Sequence, residues 1–131
     1  MCMDIIKNKL FYKKLNDLCD CEYCIFFRDN ISKEYKNLSQ ILSDWGIDIS
    51  KAFEIAIPYL DNNKLIFPFA QYIVMGKYNE SILKNIAGDK IILAKNYPEP
   101  QISEDYFVIE LGPIVFDKSL VNEEILDELG E

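Results

Sequence analysis

The 131-residue sequence has no histidine, and that absence removes much chemistry at once. Ser-His-Asp and Cys-His nucleophilic systems, His-ligated zinc enzymes and most general-base schemes at neutral pH all need an imidazole. The five glycines are scattered, so there is no cluster of backbone amides to cradle a phosphate and no dinucleotide fingerprint. No apolar run reaches the ~18 residues of a membrane helix. The longest such region, Leu65 to Met75, is interrupted by Pro68 and Gln71. The start, Met1-Cys2-Met3-Asp4, lacks the basic, apolar and small-residue segments of a secretory leader. The expectation is a cytoplasmic protein. No internal repeat or low-complexity segment is present. An enzyme built on this chain would depend on Cys, Asp/Glu, Lys or Tyr, and no motif points to a hydrolase or transferase.

What is present favours a folded core. Half of the residues are apolar, and eight Tyr, eight Phe and one Trp are far more aromatics than a disordered chain carries. The length predicts a single domain of residues 1–131. Ile6, Leu10, Phe11 and Leu18 fit one face of a first helix within residues 5–18, and a second helix is expected to begin inside Tyr23 to Phe27. Ile31, Tyr35, Leu38, Leu42 and Trp45 recur at helical steps, with Gly46 placed for a left-handed C-terminal residue.

Beyond Ser50 the period drops to two. Phe53 to Tyr59 reads as a half-buried strand, Asp61-Asn62-Asn63 as a turn, and Lys64 to Met75 as a long returning strand. Pro58 and Pro68, which lack a ladder donor, mark an edge or a bulge. A short helix is expected over Asn79 to Ala87, ended by Gly88. Strands are expected over Lys90 to Lys95, Tyr106 to Leu111 and, briefly, Pro113 to Phe116, with Asn96 to Ser103 as a loop. Asn122 caps a last acidic helix ending near Gly130. The class is α+β: N-terminal helices packed on a mostly antiparallel four- to five-stranded sheet, with a short acidic C-terminal helix. The aromatics Phe26, Phe27, Tyr35, Trp45, Phe67, Phe69 and Tyr72 are expected in the core.

Charge is unevenly placed. Residues 1–95 are nearly neutral, with 13 basic and 12 acidic side chains, whereas residues 96–131 hold one Lys against ten Asp/Glu. Such a surface repels phosphates and attracts basic partners. Direct nucleic-acid binding is disfavoured, and no membrane partner is expected. The candidate partner-binding residues are Glu123, Glu124, Asp127 and Glu128 on the last helix, with Glu99, Glu104 and Asp105 extending the patch. The same last-helix carboxylates also read as a solvated face favoured by the helix dipole, or as a metal site. Lys7 to Lys14 offer a basic counterpart through which copies of the chain would self-associate.

The one unusual chemical run is Leu18-Cys19-Asp20-Cys21-Glu22-Tyr23-Cys24, and three readings stay open. As a metal site, Cys21-x-x-Cys24 has the spacing of half a zinc knuckle, with Cys19 third and Cys2 or Asp20 as fourth ligand. Against it, a second Cys pair is missing and Cys2 lies at the chain's start. As a redox site, a Cys-x-x-Cys opening a helix has its attacking thiol activated by the dipole, but Asp20 and Glu22 oppose this and no βαβ context precedes it. As a structural feature, the thiols simply pack the start of the helices, since cysteine is among the most buried residue types.

The stretch Cys19-Asp20-Cys21-Glu22-Tyr23-Cys24-Ile25-Phe26-Phe27, followed by Trp45-Gly46-Ile47-Asp48-Ile49, resembles a family of small acidic Firmicute proteins, often borne by phages or mobile elements. In that family a Cys-x-Cys-x-Tyr-Cys stretch leads a helix into a Gly-Ile-Asp turn. The resemblance spans residues 18 to 75; it implies the domain layout and no activity.

Two functional expectations follow. The first is a non-catalytic interaction protein, an inhibitor, immunity or anti-defence accessory factor, presenting its acidic C-terminal surface to a basic protein, a nucleic-acid-binding one among the candidates, with no cofactor. The alternative is a small metal-binding or thiol-redox protein using Cys19, Cys21 and Cys24, with zinc as the candidate ion.

Overall fold

The computed structural model describes residues 3–79 and 91–129. Helix α1 (Ile5–Lys14) is followed by α2 (Glu22–Glu34) and α3 (Lys36–Asp44). Strands β1 (Glu54–Ile55), β2 (Tyr59–Asp61), β3 (Lys64–Phe67), β4 (Ala70–Met75), β5 (Ile91–Leu93), β6 (Tyr106–Leu111) and β7 (Ile114–Asp117) come next. A 3-10 turn (Lys118–Leu120) leads into α4 (Glu123–Glu128). The fold is α+β, with the strands divided between two antiparallel sheets, one ordered β1-β4-β6-β5 and the other β2-β3-β7. The helix expected over Asn79 to Ala87 and the chain end near Gly130 lie outside the described residues.

The two sheets are made from strands that turn a shared corner. Expected as continuous, the strand over Phe53 to Tyr59 breaks into β1 and β2 before Pro58, and the one over Lys64 to Met75 breaks into β3 and β4 at Pro68-Phe69. A third crossing, at the cis Gly112-Pro113 bond, divides β6 from β7. The registers on either side of the bend run on: Ala70 opposes Leu111 in one sheet and Phe67 opposes Ile114 in the other. Proline cannot donate to a ladder, so it sits where pairing is handed from one sheet to the next. Gly112 is required at this corner, because a Cβ there would lie 2.4 Å from the Pro68 carbonyl oxygen. The β2–β3 hairpin closes on Asn62 and Asn63, both at positive φ, as a two-residue turn matched to strand twist demands.

Between the sheets and helices sits one main core, centred on Phe26, Phe27, Phe67 and Phe116, whose rings meet at centroid distances of 5.1–6.4 Å. A smaller cluster of Ile73, Met75, Ala94 and Val108 fills the other face of the four-stranded sheet, under Tyr97 and Ile102 of the 94–105 loop. The single helix expected over Ile31 to Trp45 is instead split at Tyr35 (φ −124, ψ 61). The Tyr35 hydroxyl accepts the Val115 N–H at 2.8 Å and donates to the Val115 carbonyl at 3.1 Å. Each of these hydrogen bonds contributes about 0.5–1.5 kcal/mol, against a few tenths for a local helical pair, so docking onto β7 favours a break at Tyr35. Past the break, α3 ends as expected. Gly46 (φ +84) allows Ile47 N–H to reach Leu42 O and Gly46 N–H to reach Ser43 O, a Schellman closure.

Helix α1 departs most from its pattern. It stops at Lys14, and the face expected inside is partly outside: Ile6 is 72 % exposed and Leu10 52 %, while Asn8 and Tyr12 are buried. Hydrogen bonds set this rotation. Asn8 Nδ2 donates to Trp45 O at 2.9 Å, Met75 N–H donates to Asn8 Oδ1 at 2.6 Å, and the Tyr12 hydroxyl donates to Ile73 O at 2.6 Å. Ile5, Phe11 and Leu15 supply the apolar contacts on the inner face.

Candidate metal centre

After α1 the chain runs without regular structure through Leu15 to Asp20, with Leu15 and Leu18 half-buried, and enters α2 with Cys21 as N-cap. A cysteine there makes no side-chain capping bond, so the first-turn amides keep their pull on nearby negative charge. The Cys21 N–H instead points back at Cys19 Sγ, 3.5 Å away. Cys24 stands one turn further along the helix. The result is three sulfurs that all lie within 4.8 Å of one another. Thiolates about a common tetrahedral ion with bonds of ~2.3 Å sit about 3.8 Å apart, so a small closing motion suffices to chelate. Among the described residues no fourth Cys, Asp or Glu joins the group, Asp20 included, and Cys2 lies outside them.

Cys19 and Cys21 are exposed and Cys24 is half-buried. Of the three readings, simple packing is contradicted for Cys19 and Cys21, which face solvent, while Cys24 is partly covered. The three sites also differ in proton affinity. Cys19 is held below the ordinary thiol value, first by the Cys21 N–H and then by the Cys24 and Cys21 thiols that point at its sulfur. Cys24 is pushed far above it, chiefly by burial and then by its bonds to Cys19 and Cys21. Cys19 is therefore the more readily ionised of the two and Cys24 the one that holds its proton more tightly. The cluster forms one wall of a groove of about 240 Å³, with Arg28 further along α2 and the Phe53–Ile57 segment opposite.

The acidic candidates fall into separate surroundings. All seven are exposed. Glu104 pairs with Lys7 at 2.8 Å and Asp105 approaches Lys77 at 3.9 Å, while Glu99 lies beside Tyr106. On α4, Asn122 Oδ1 accepts the Ile125 N–H at 2.9 Å and Ile125 is buried, which seats the helix against α2. That seating turns Glu124 and Glu128 onto Glu22, the first residue of α2. Their hydrogen bonds and charge push the Glu22 carboxyl up to about 7. One Glu22 oxygen is shielded from solvent and receives no donor, an arrangement that a proton shared among the carboxylates would relieve. Tyr23 completes the group, raised by desolvation and by a bond to Glu128. The i, i+4 pair Glu124/Glu128 is readable in the sequence. Glu22 as its third member is not, because the contact joins opposite ends of the chain.

A pH dependence follows from this cluster. Because the folded value of Glu22 lies above the ordinary 4.5, its contribution to stability is complete below that value and is lost as pH rises through about 7. Urea unfolding of the protein is expected to show stability falling across this interval, and Glu22→Gln to flatten the fall. An unaltered pH profile in the variant would remove the shared proton.

Among the described residues no helix is long and apolar enough to cross a membrane. No protein-family model, no curated protein and no solved structure matches the chain.

Proposed function

We propose that this chain is a small thiolate-centred protein that binds one soft metal ion, with zinc as the first candidate, through Cys19, Cys21 and Cys24. The observation that carries the reading is the mutual approach of three sulfurs, two exposed and one half-buried, to within 4.8 Å at a helix start. Burial does not account for Cys19 and Cys21, which are exposed, and thiolate sets select zinc, copper(I) and related ions over hard cations. The described residues would supply three thiolate ligands, and a tetrahedral ion would take one more. The test is metal content after purification without chelator, followed by cobalt(II) titration. One equivalent with intense thiolate-to-metal absorption is expected. Substoichiometric metal together with thiols that label freely would overturn the reading.

A second reading, attachment of a basic protein to the acidic end, is favoured by a different observation. Glu22, Glu124 and Glu128 are gathered with no cation paired to them among the described ion pairs, a like-charge arrangement that costs stability and suits a cationic partner. Glu123 and Asp127 extend this surface, while Glu104 and Asp105 already have lysine neighbours. Glu123, Glu124, Asp127 and Glu128 changed to their amides are expected to slow association several-fold at low salt. On-rates that ignore both the changes and ionic strength would count against it.

A further inference from the structure

A second groove lies on the opposite charge footing. It is about 420 Å³, runs between α1 and the end of α3, and is lined by Lys9, Lys13 and Lys51 together with the hydroxyl residues Ser39 and Ser43. Three lysines face one cavity in a protein of net charge −8. No ion pair within 4.0 Å is made by Lys9, Lys13 or Lys51 among the described residues. Lys9 and Lys13 are four apart on one helix, a like-charge spacing that weakens a helix unless an anion answers it. The helix dipole accounts for Lys13 in the last turn, but it accounts for neither Lys9 nor Lys51. The one acid in the wall, Asp48, is engaged with its own turn, accepting from Ser50 N at 2.9 Å and Ser50 Oγ at 2.7 Å.

The walls are fixed before any ligand arrives. Lys51 Nζ donates to Tyr12 O at 2.8 Å, which holds the ammonium in the groove with donors to spare. Asn8 Nδ2 ties α1 to Trp45 O at 2.9 Å. Gly46 lies so close to α1 that a Cβ there would sit 2.6 Å from Ile5 O and 2.9 Å from Lys9 Cγ, which seats the Lys9 stem against the loop. Lys9 and Lys13 are exposed, and a fixed Lys51 with two further lysines beside hydroxyl donors is an arrangement that suits phosphate oxygens, with lysine acting as a compact point charge.

We propose that this groove binds a small phosphate-bearing anion of two or more charges, held by Lys9, Lys13 and Lys51 with Ser39 and Ser43 as neutral donors. The same chemistry is offered by inorganic diphosphate and by the phosphates of a nucleotide. Calorimetric titration at fixed ionic strength separates them, using pyrophosphate, ADP and adenosine as probes. If the phosphates alone are read, pyrophosphate and ADP bind alike and adenosine does not bind. If ADP binds and pyrophosphate does not, the proposal as stated is overturned. The double variant Lys9→Gln, Lys13→Gln is expected to weaken pyrophosphate by about tenfold or more, as loss of two charge-assisted contacts implies. Lys33→Gln with Lys95→Gln, outside the groove, is expected to weaken it less than about twofold. Thermal melts matching wild type show that both variants are folded. Equal weakening by the two pairs would mean that overall charge, not this groove, attracts the anion, and would also overturn the proposal, as would no heat from pyrophosphate at millimolar concentration.

Discussion

Cys24→Ser is expected to lower zinc or cobalt(II) affinity by roughly a hundredfold or more, since even changes in groups that merely support a ligand cost 10–100-fold. Cys24 is the telling choice among the three. It is the half-buried sulfur, and burial together with its thiol neighbours keeps it protonated in the free protein. A metal has to displace that proton, so affinity should climb as pH rises. Cys19 behaves differently: the Cys21 N–H lowers its proton affinity, and Cys19→Ser should lose affinity while keeping most of the pH slope. The measurement is competition against a chromophoric chelator between about pH 6 and 8.5, where thiol ligands exchange protons for metal. Binding to the folded form alone also raises stability, by about 4 kcal/mol when free metal is a thousand times Kd. Retention of wild-type affinity in Cys24→Ser would show that the three sulfurs do not act together.

How far the sequence could be read depended on whether the deciding contact was local. The Gly46 closure of α3, the Asn122 cap and the Asn62-Asn63 turn each rest on residues within a few positions, and each stands where the pattern placed it. The split at Tyr35 depends on β7, eighty positions away. Periodicity cannot register such a partner. The prolines were legible as obstacles to pairing, but a corner shared by three crossings appears only once β3 and β4 are seen in different sheets. The same division applies to the sites. Spacing placed Cys19, Cys21 and Cys24 near one another. Their differing exposure, and the asymmetry that lowers the proton affinity of Cys19 and raises that of Cys24, follow from the Cys21 amide and the burial of Cys24. The junction of Glu22 with Glu124 and Glu128, and the gathering of Lys51 with Lys9 and Lys13, needed the assembled fold.

Asn8→Leu is expected to destabilise the protein by about 3–5 kcal/mol, from two buried backbone groups left without partners at ~1–3 kcal/mol each plus a larger side chain in a closed site. Asn8 has no solvent exposure and uses both ends of its amide, giving a donor to Trp45 O and an acceptor to Met75 N–H. Asparagine is a poor residue for a helix interior, so its position in α1 is explained by this bridge from the loop after α3 to the end of β4. Leucine would improve both helix propensity and apolar area, and a reading from the hydrophobic pattern alone makes the substitution favourable. The sign of the effect therefore separates two accounts of α1. If the hydrogen bonds orient the helix, Asn8→Leu removes a large part of a stability of ~5–15 kcal/mol, while Ile6→Ser and Leu10→Ser, at exposed positions, shift it by only about 0.5 kcal/mol. If the apolar face orients it, the ranking reverses. Urea unfolding midpoints of the three variants decide the matter, and an Asn8→Leu protein within about 1 kcal/mol of wild type would contradict the hydrogen-bonded account, given the known cost of unpaired buried amides.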